Sequence, residues 1–499
     1  LRRPLALAAA LSVAGCAVGP DYHEPELQTA SSYEGVSLRA QDAPISVPLP
    51  TEADLSHWWT TLDDQQLHGL IDRALKTNLD LRIAASRVRE ARQQEIISGA
   101  AGLPQFNLSG AGVKLHSNSN IAAGIGGASP AAAAASSVAA ASAASAAASS
   151  NTTPTSTNVT LYSAGFDASW EIDVFGGVRR SVEAARAGTQ AAQWQARDAQ
   201  VTLTAEIAAD YLGLRATQAR LAILRGEAKS QTDTLQIISA RRQAGFVTEL
   251  DVNQQQTLLA STTAQIPLLV AQIRVMEHAI AILMAEQPES LASELDPVRP
   301  LPPVPPQLPV GLPSDLLRRR PDVRAAERQL AAATAQEGVA IADLYPKFNL
   351  LGALSYSGNA LGTLFSAGNF GQIGLASIMW PIFKGGQIRA NIKAKQEEEQ
   401  QAYLSYQKTI LGAVKDVEDA LVRYVTEQQR LQSLEKAVAF GRSSLAIAIQ
   451  QYQGGLVTYV DVLSAQSNYL SAQDQLAQSH QALATDLVSL YKALGGGWT

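Results

Sequence analysis

Apolar and polar positions along this chain follow two periods in turn, first of two residues and then of seven. Between Thr160 and Phe175 the even positions Thr160, Tyr162, Ala164, Phe166, Ala168, Trp170, Ile172 and Val174 are mostly apolar. The odd positions include Ser163, Asp167, Ser169, Glu171 and Asp173. Such alternation predicts a strand with one apolar and one polar face. Its length suits a tilted membrane strand facing lipid on one side and a lumen on the other. Phe348, Leu350, Leu354 and Tyr356 repeat the pattern more weakly. The pairs Gly176-Gly177 and Gly385-Gly386 mark the expected change from strand to helix.

Helical periodicity follows. Neither Val178–Arg242 nor Gln387–Tyr452 contains a proline, and helices of that length would run about 95 Å. Ile410, Val414, Val417, Leu421, Tyr424, Leu431, Leu434 and Val438 recur at spacings of 3, 4 or 7, as do Leu476, Leu483, Leu487, Leu490 and Leu494. This narrow apolar seam predicts coiled-coil packing more than a helix sunk in a globular core. Pro267 is expected to kink or interrupt the return helix of the first series.

The whole series occurs twice. Asn78-Leu79-Asp80-Leu81-Arg82 matches Arg320-Pro321-Asp322-Val323-Arg324, and Leu103–Leu108 matches Tyr345–Leu350, both at an offset of 242. Trp170 matches Trp380, and Gln243–Thr248 matches Gln453–Thr458, at an offset of 210. The difference, 242 − 210 = 32, is an insertion in the first copy between Phe106 and Trp170. Residues 117–158 are almost wholly Ala, Ser, Asn, Thr and Gly, with no charge between Lys114 and Asp167. Alanine and serine enter hydrocarbon poorly, so a surface loop between two strands is expected there and not a membrane helix.

The resulting layout has a signal peptide at 1–15 and a lipidated, extended N-terminal segment at 16–60. Repeat one covers 61–296, with strands near 104–116 and 159–175, the loop 117–158, and helices over about 177–285. A stiff proline-rich linker at 297–313 leads to repeat two, 314–499. Its strands are expected near 346–358 and 371–383, and its helices over about 387–494. Four strands cannot close a barrel, and lipid cannot satisfy open strand edges. Several chains must therefore contribute to one barrel.

Composition narrows the chemistry. A formal net charge of −6 gives no reason to expect a nucleic-acid partner. The one cysteine, Cys16, follows Arg2, Arg3 and a short apolar stretch, and closes Leu11-Ser12-Val13-Ala14-Gly15-Cys16. That sequence is similar to a bacterial lipobox, so Cys16 is the expected acylation site. Ala17 stands where inner-membrane lipoproteins commonly carry aspartate, which points to the outer membrane. His23, His57, His68, His116, His278 and His480 are scattered without metal-ligand spacing. There is no nucleophile elbow or phosphate-binding glycine loop. No enzyme, metal site or cofactor beyond the covalent lipid is expected.

Together these residues resemble the outer membrane factor family, the TolC-like exit ducts, and within it the NodT-type lipoproteins. The resemblance is carried by Gly15–Tyr22, Trp58-Trp59, Asn78–Arg82, Leu317–Arg324 and Gly455–Leu463 on the duplicated frame. It implies a mainly α protein with a membrane β-barrel, built from a duplicated helix–β-hairpin–helix–helix repeat. A homotrimer would close a 12-stranded β-barrel continued by a periplasmic α-helical barrel. The implied function is the exit duct of a tripartite efflux system exporting drugs or other small toxic compounds. The implied partners are a periplasmic adaptor and an inner-membrane transporter of the resistance–nodulation–division type. A channel for type I protein secretion, or a non-channel envelope lipoprotein, are the alternatives.

On that frame Gly245, Phe246, Val247 and Gly455, Leu456, Val457 would form the tips that dock the adaptor. Asp251 and Asp461, each six residues after its glycine, would line the periplasmic gate. Tyr452 matches a tyrosine that ties neighbouring helices in the closed state of some members. This chain carries Val457 where the arginine partner of that tyrosine would sit.

Overall fold

The computed structural model describes residues 17–25, 33, 47–49, 54–117 and 157–498. The expected signal peptide, Cys16 and most of the alanine/serine-rich loop lie outside the described residues. In chain order the elements are β1 (Val47–Leu49), α1 (Gln65–Thr77), α2 (Leu79–Ala100), β2 (Gln105–Ser117) and β3 (Thr157–Ile172). Next come α3 (Gly177–Gln243), α4 (Glu249–Leu283), β4 (Gln307–Pro309), α5 (Pro313–Arg319) and α6 (Pro321–Ala342). The series ends with β5 (Lys347–Gly358), β6 (Phe370–Met379), α7 (Gln387–Gln453) and α8 (Tyr459–Ala493).

The duplication is kept to the residue. α3 and α7 each have 67 residues, α4 and α8 each have 35, and α2 and α6 each have 22. The helix leading each copy is split, at Asn78 and at Arg320, which the sequence pattern did not anticipate. Both break residues leave the helical region, with ψ of 134° and 121°. Pro321 forces this in the second copy by crowding the residue before it. In the first, the Asn78 side chain accepts from the amide of Leu81 at 3.0 Å and so starts a new helix.

Four features differ from expectation. β3 stops at Ile172 and β6 at Met379, short of 175 and 383. Asp173 leaves the ladder because its carboxylate accepts from the backbone amides of Val178 and Arg179, at 3.2 and 2.9 Å, capping α3. After β6, Pro381 has no N–H to continue a ladder. The proline-rich linker also holds structure: β4 pairs in parallel with β1, and Leu308 and Val310 are buried. Finally, α4 runs uninterrupted through Pro267. The carbonyl deprived of its partner there belongs to exposed Thr263, where water can satisfy it.

The chain forms two compact units. The first comprises Leu1–Tyr22, Gln93–Arg186 and Ala331–Glu399. Its centre is an antiparallel sheet of order β2-β3-β5-β6. Trp170 and Trp380 do the same work in the two copies. Each indole donates to a carbonyl ahead of its copy's first strand, Gly102 and Leu344, both at 3.0 Å.

The second unit comprises His23–Arg92, Ala187–Leu330 and Gln400–Thr499, and it holds the conventional core. Trp58 and Trp59, placed by the sequence reading in an extended tail, are buried there, with Trp58 stacked on Tyr491 at 4.7 Å. Arg215 is fully buried and donates to the carbonyls of Leu295 and Pro297 at 3.0 and 2.9 Å. A charge held at that depth needs such partners, and the contacts tie the end of repeat one to α3.

Candidate functional site

Two surfaces have functional character, one in each unit. In the sheet, register places Leu108, Phe166, Leu354 and Gln372 side by side, followed by Trp170, Leu350 and Ala376. Phe106, Leu108, Phe166, Leu350, Leu354 and Ile378 on this face are all exposed. The opposite face carries Asn107 and Asp167, hydrogen-bonded at 2.9 Å, with Ser109, Ser163, Ser169, Ser355 and Ser377. Exposed Leu351, Ile373, Leu375 and Met379 share that opposite face, so it is polar through β2 and β3 and mixed through β5 and β6. A sheet with one bare apolar face and one partly polar face suits a boundary between lipid and lumen. Among the described residues, the outer edges of β2 and β6 pair with no strand.

The second surface is the pair of tips joining the long helices. α3 ends when Gly245 turns left-handed at φ +77°, and α7 ends at Gly455 with φ +72°. The amide of Phe246 donates to Arg241 O and that of Gly245 to Arg242 O, both at 2.9 Å. Leu456 donates to Gln451 O at 2.9 Å and Gly455 to Tyr452 O at 3.1 Å. Both are Schellman caps, which need a residue tolerant of positive φ. The residue after each glycine is left outside: Phe246 is 75% exposed and Leu456 79%. Val247 and Val457 behave differently from these neighbours and are half-buried. Val247 packs against a small core of Ile238, Val252, Tyr459 and Val462.

The two aspartates expected at the gate make the N-terminal caps of the return helices. The backbone amide and hydroxyl of Thr248 both donate to Asp251 Oδ2 at 2.8 Å, and the amide of Asp251 returns to Thr248 Oγ1 at 3.4 Å. Thr458 donates to Asp461 Oδ2 through its amide at 2.9 Å and its hydroxyl at 2.7 Å. These hydrogen bonds, that of the hydroxyl first, hold the Asp461 carboxyl below the usual carboxylate range. The signature of these boxes stands in the sequence as Thr248-x-x-Asp251 and Thr458-x-x-Asp461, beside the gate expectation drawn from the aspartates alone.

Tyr452 lies against Tyr459, ring centres 5.4 Å apart, with the Arg241 guanidinium 5.0 Å from its own ring centre. Burial raises the pKa of its phenol. The arginine that meets this tyrosine thus comes from the first copy, not from position 457. No signal in the sequence marks Arg241, whose counterpart in the second copy is Gln451.

An amphipathic four-stranded sheet, together with two long, capped helical hairpins, fits a channel-forming class of envelope protein. The comparisons agree. The model of the outer membrane efflux protein family matches residues 70–286 and 312–496, and the chain belongs to that family. It is 32% identical to nodulation protein T of Rhizobium leguminosarum bv. viciae, covering 98% of this chain and 92% of that protein. It is 31% identical to the pyoverdine export outer membrane protein OpmQ of Pseudomonas aeruginosa, covering 99% and 96%. Its fold matches the outer-membrane channel OprN with a TM-score of 0.83 at 32% identity, covering 97% of this chain and all of that one. The protein is an outer-membrane exit duct of the efflux type and not an enzyme.

Proposed function

We propose that three copies of this chain close one twelve-stranded barrel, and that the assembly docks a periplasmic adaptor and an inner-membrane pump of the resistance–nodulation–division type. The unpaired edges of β2 and β6 carry this reading. Each edge presents backbone donors and acceptors that hydrocarbon cannot satisfy, and edge-to-edge pairing of copies removes both. Three sheets of four strands give a closed barrel of ordinary size. Small organic compounds are the cargo that fits a passive, lumen-lined duct. Two relatives are named for pyoverdine export and for solvent efflux, which supports a cargo of this kind.

In this reading Phe246 and Leu456, with Gly245, Gly455, Val247 and Val457 shaping the turns, form the docking surface for the adaptor. Asp251 and Asp461 add a threefold ring of negative charge at the periplasmic gate, with Tyr452 beside it. Cys16 carries the lipid that holds the chain in the outer membrane, and no other cofactor is assigned.

Single-channel recording of the reconstituted oligomer tests the gate. Asp251→Asn and Asp461→Asn are expected to lower cation preference, whereas Thr248→Ala and Thr458→Ala weaken the same caps with the charge retained. Equal effects from both pairs would mean that the aspartates act only as caps. The trimer itself predicts a heat-modifiable, detergent-resistant oligomer. A monomer after mild extraction would overturn it.

A further inference from the structure

The motif that follows Cys16 has no task in the duct reading, yet the structure gives it a built site. Ala17–Tyr22 belongs to the unit that holds the sheet. The amide of Val18 donates to Phe175 O at 3.1 Å, just beyond the end of β3. Arg180, in the first turn of α3, donates from Nε to Val18 O at 3.1 Å and from Nη2 to Gly19 O at 3.2 Å. The same Nη2 reaches Asp21 Oδ1 at 2.7 Å, and Nη1 reaches Glu183 at 2.8 Å. Arg180 is only 4% exposed. A guanidinium at that depth is tolerated because it is paired, and most of its partners come from the N-terminal segment.

Bare backbone on both sides completes the fit. A Cβ on Gly19 would stand 2.6 Å from Gly338 Cα, and one on Gly176 would stand 2.7 Å from Ala17 Cα. Both Gly19 and Gly176 hold positive φ, +94° and +82°. The segment therefore lies in a slot from which side chains are excluded.

The duplication shows that the slot is specific. At the offsets that relate the copies, Arg180 corresponds to Ala390, Gly338 to Ile96 and Gly176 to Gly386. A Cβ on Gly386 would meet nothing within 4 Å. One wall of the pair has gained an arginine and a glycine, and that wall alone holds the N-terminal segment.

We propose that Ala17–Asp21 is a docked strap, with Arg180 as its positioning residue, that clamps the strand-to-helix turn of copy one. It fixes where the chain's anchor enters the sheet-bearing unit. Only the nature of that anchor rests on the acylation of Cys16 proposed above; the strap does not.

Hydrogen exchange on the full-length oligomer in detergent tests this directly. Gly19→Val changes only the strap, Arg180→Ala removes the contacts from the other side, and Gly412→Ala, at an open position, is the control. The Val18 amide is expected to exchange at least tenfold faster in both strap variants and to stay unchanged in the control. Unaltered protection in Gly19→Val and Arg180→Ala overturns the strap. Labelled palmitate incorporation is read separately. Its absence from the wild type refutes acylation and leaves the exchange result standing.

Discussion

The two tips share one backbone design and differ in the pair of side chains that brackets it. In copy one, positions 242 and 249 carry the exposed ion pair Arg242–Glu249. The corresponding positions of copy two, 452 and 459, carry Tyr452 and Tyr459 in ring contact. Tyr459 is buried and donates to Gln255 Oε1 of α4 at 2.6 Å, whereas both members of the ion pair face water. The turn needs its Schellman cap and capping box, so both copies keep them. The bracket is free to specialise, and only the second copy uses it to bind one helical hairpin to the other.

The sharpest way to break this comparison is to truncate each bracket. Tyr459→Ala is expected to cost about 3 kcal/mol, the loss of a buried aromatic and its hydrogen bond, seen as a lower thermal midpoint of the oligomer. Glu249→Ala should cost about 0.5 kcal/mol or less, because exposed ion pairs contribute little. Equal losses would show that the brackets are equivalent.

The shared caps should respond alike. Gly245→Val and Gly455→Val each force a β-branched residue to positive φ, a strain of about 1–2 kcal/mol. A clear difference between the two in denaturant midpoint would mean that the caps have diverged as well.

The smallest effect concerns acid. The folded-state pKa of Asp461 is depressed by Thr458. Its contribution to stability is therefore complete above the ordinary carboxylate range, near ~4, and is lost as pH falls through the lowered folded value. Asp461→Asn should destabilise the tip at neutral pH and flatten its response below that range, measured by hydrogen exchange of the first turn of α8. An unchanged acid response would remove the cap from the explanation.

How much of this was legible beforehand depended on the reach of each signal. Alternation from Thr160 to Ile172 marks its strand because every second residue meets the same medium. The twin lengths of α3 and α7 follow from the absence of proline and from matching glycines at their ends. The early ends of β3 and β6 were hidden because Asp173 and Pro381 act on the backbone and leave the alternation intact. Burial of Trp58 could not be read either, since its partner Tyr491 lies at the other end of the chain. At the tips the glycines were visible, and the left-handed turns they allow are there. The aspartates read as gate residues because charge near a constriction is conspicuous, while the four-residue hydrogen-bond box they also form is not. Arg241 and Arg180 act across long separations that no local pattern encodes.

The β2–β3 hairpin stays in register as far as Ser117 opposite Thr157, at the end of the sheet away from α2 and α3. Whatever chain joins those two residues leaves and re-enters at neighbouring points. Its length is therefore decoupled from the ladder, and the closure cost rises only slowly as residues are added. The 32-residue difference between the copies could accumulate there without shifting a single strand pair. For the experimenter this is a permissive port: a tag or fluorophore-binding peptide spliced between 118 and 156 should leave assembly intact and report which side of the membrane that end of the sheet occupies.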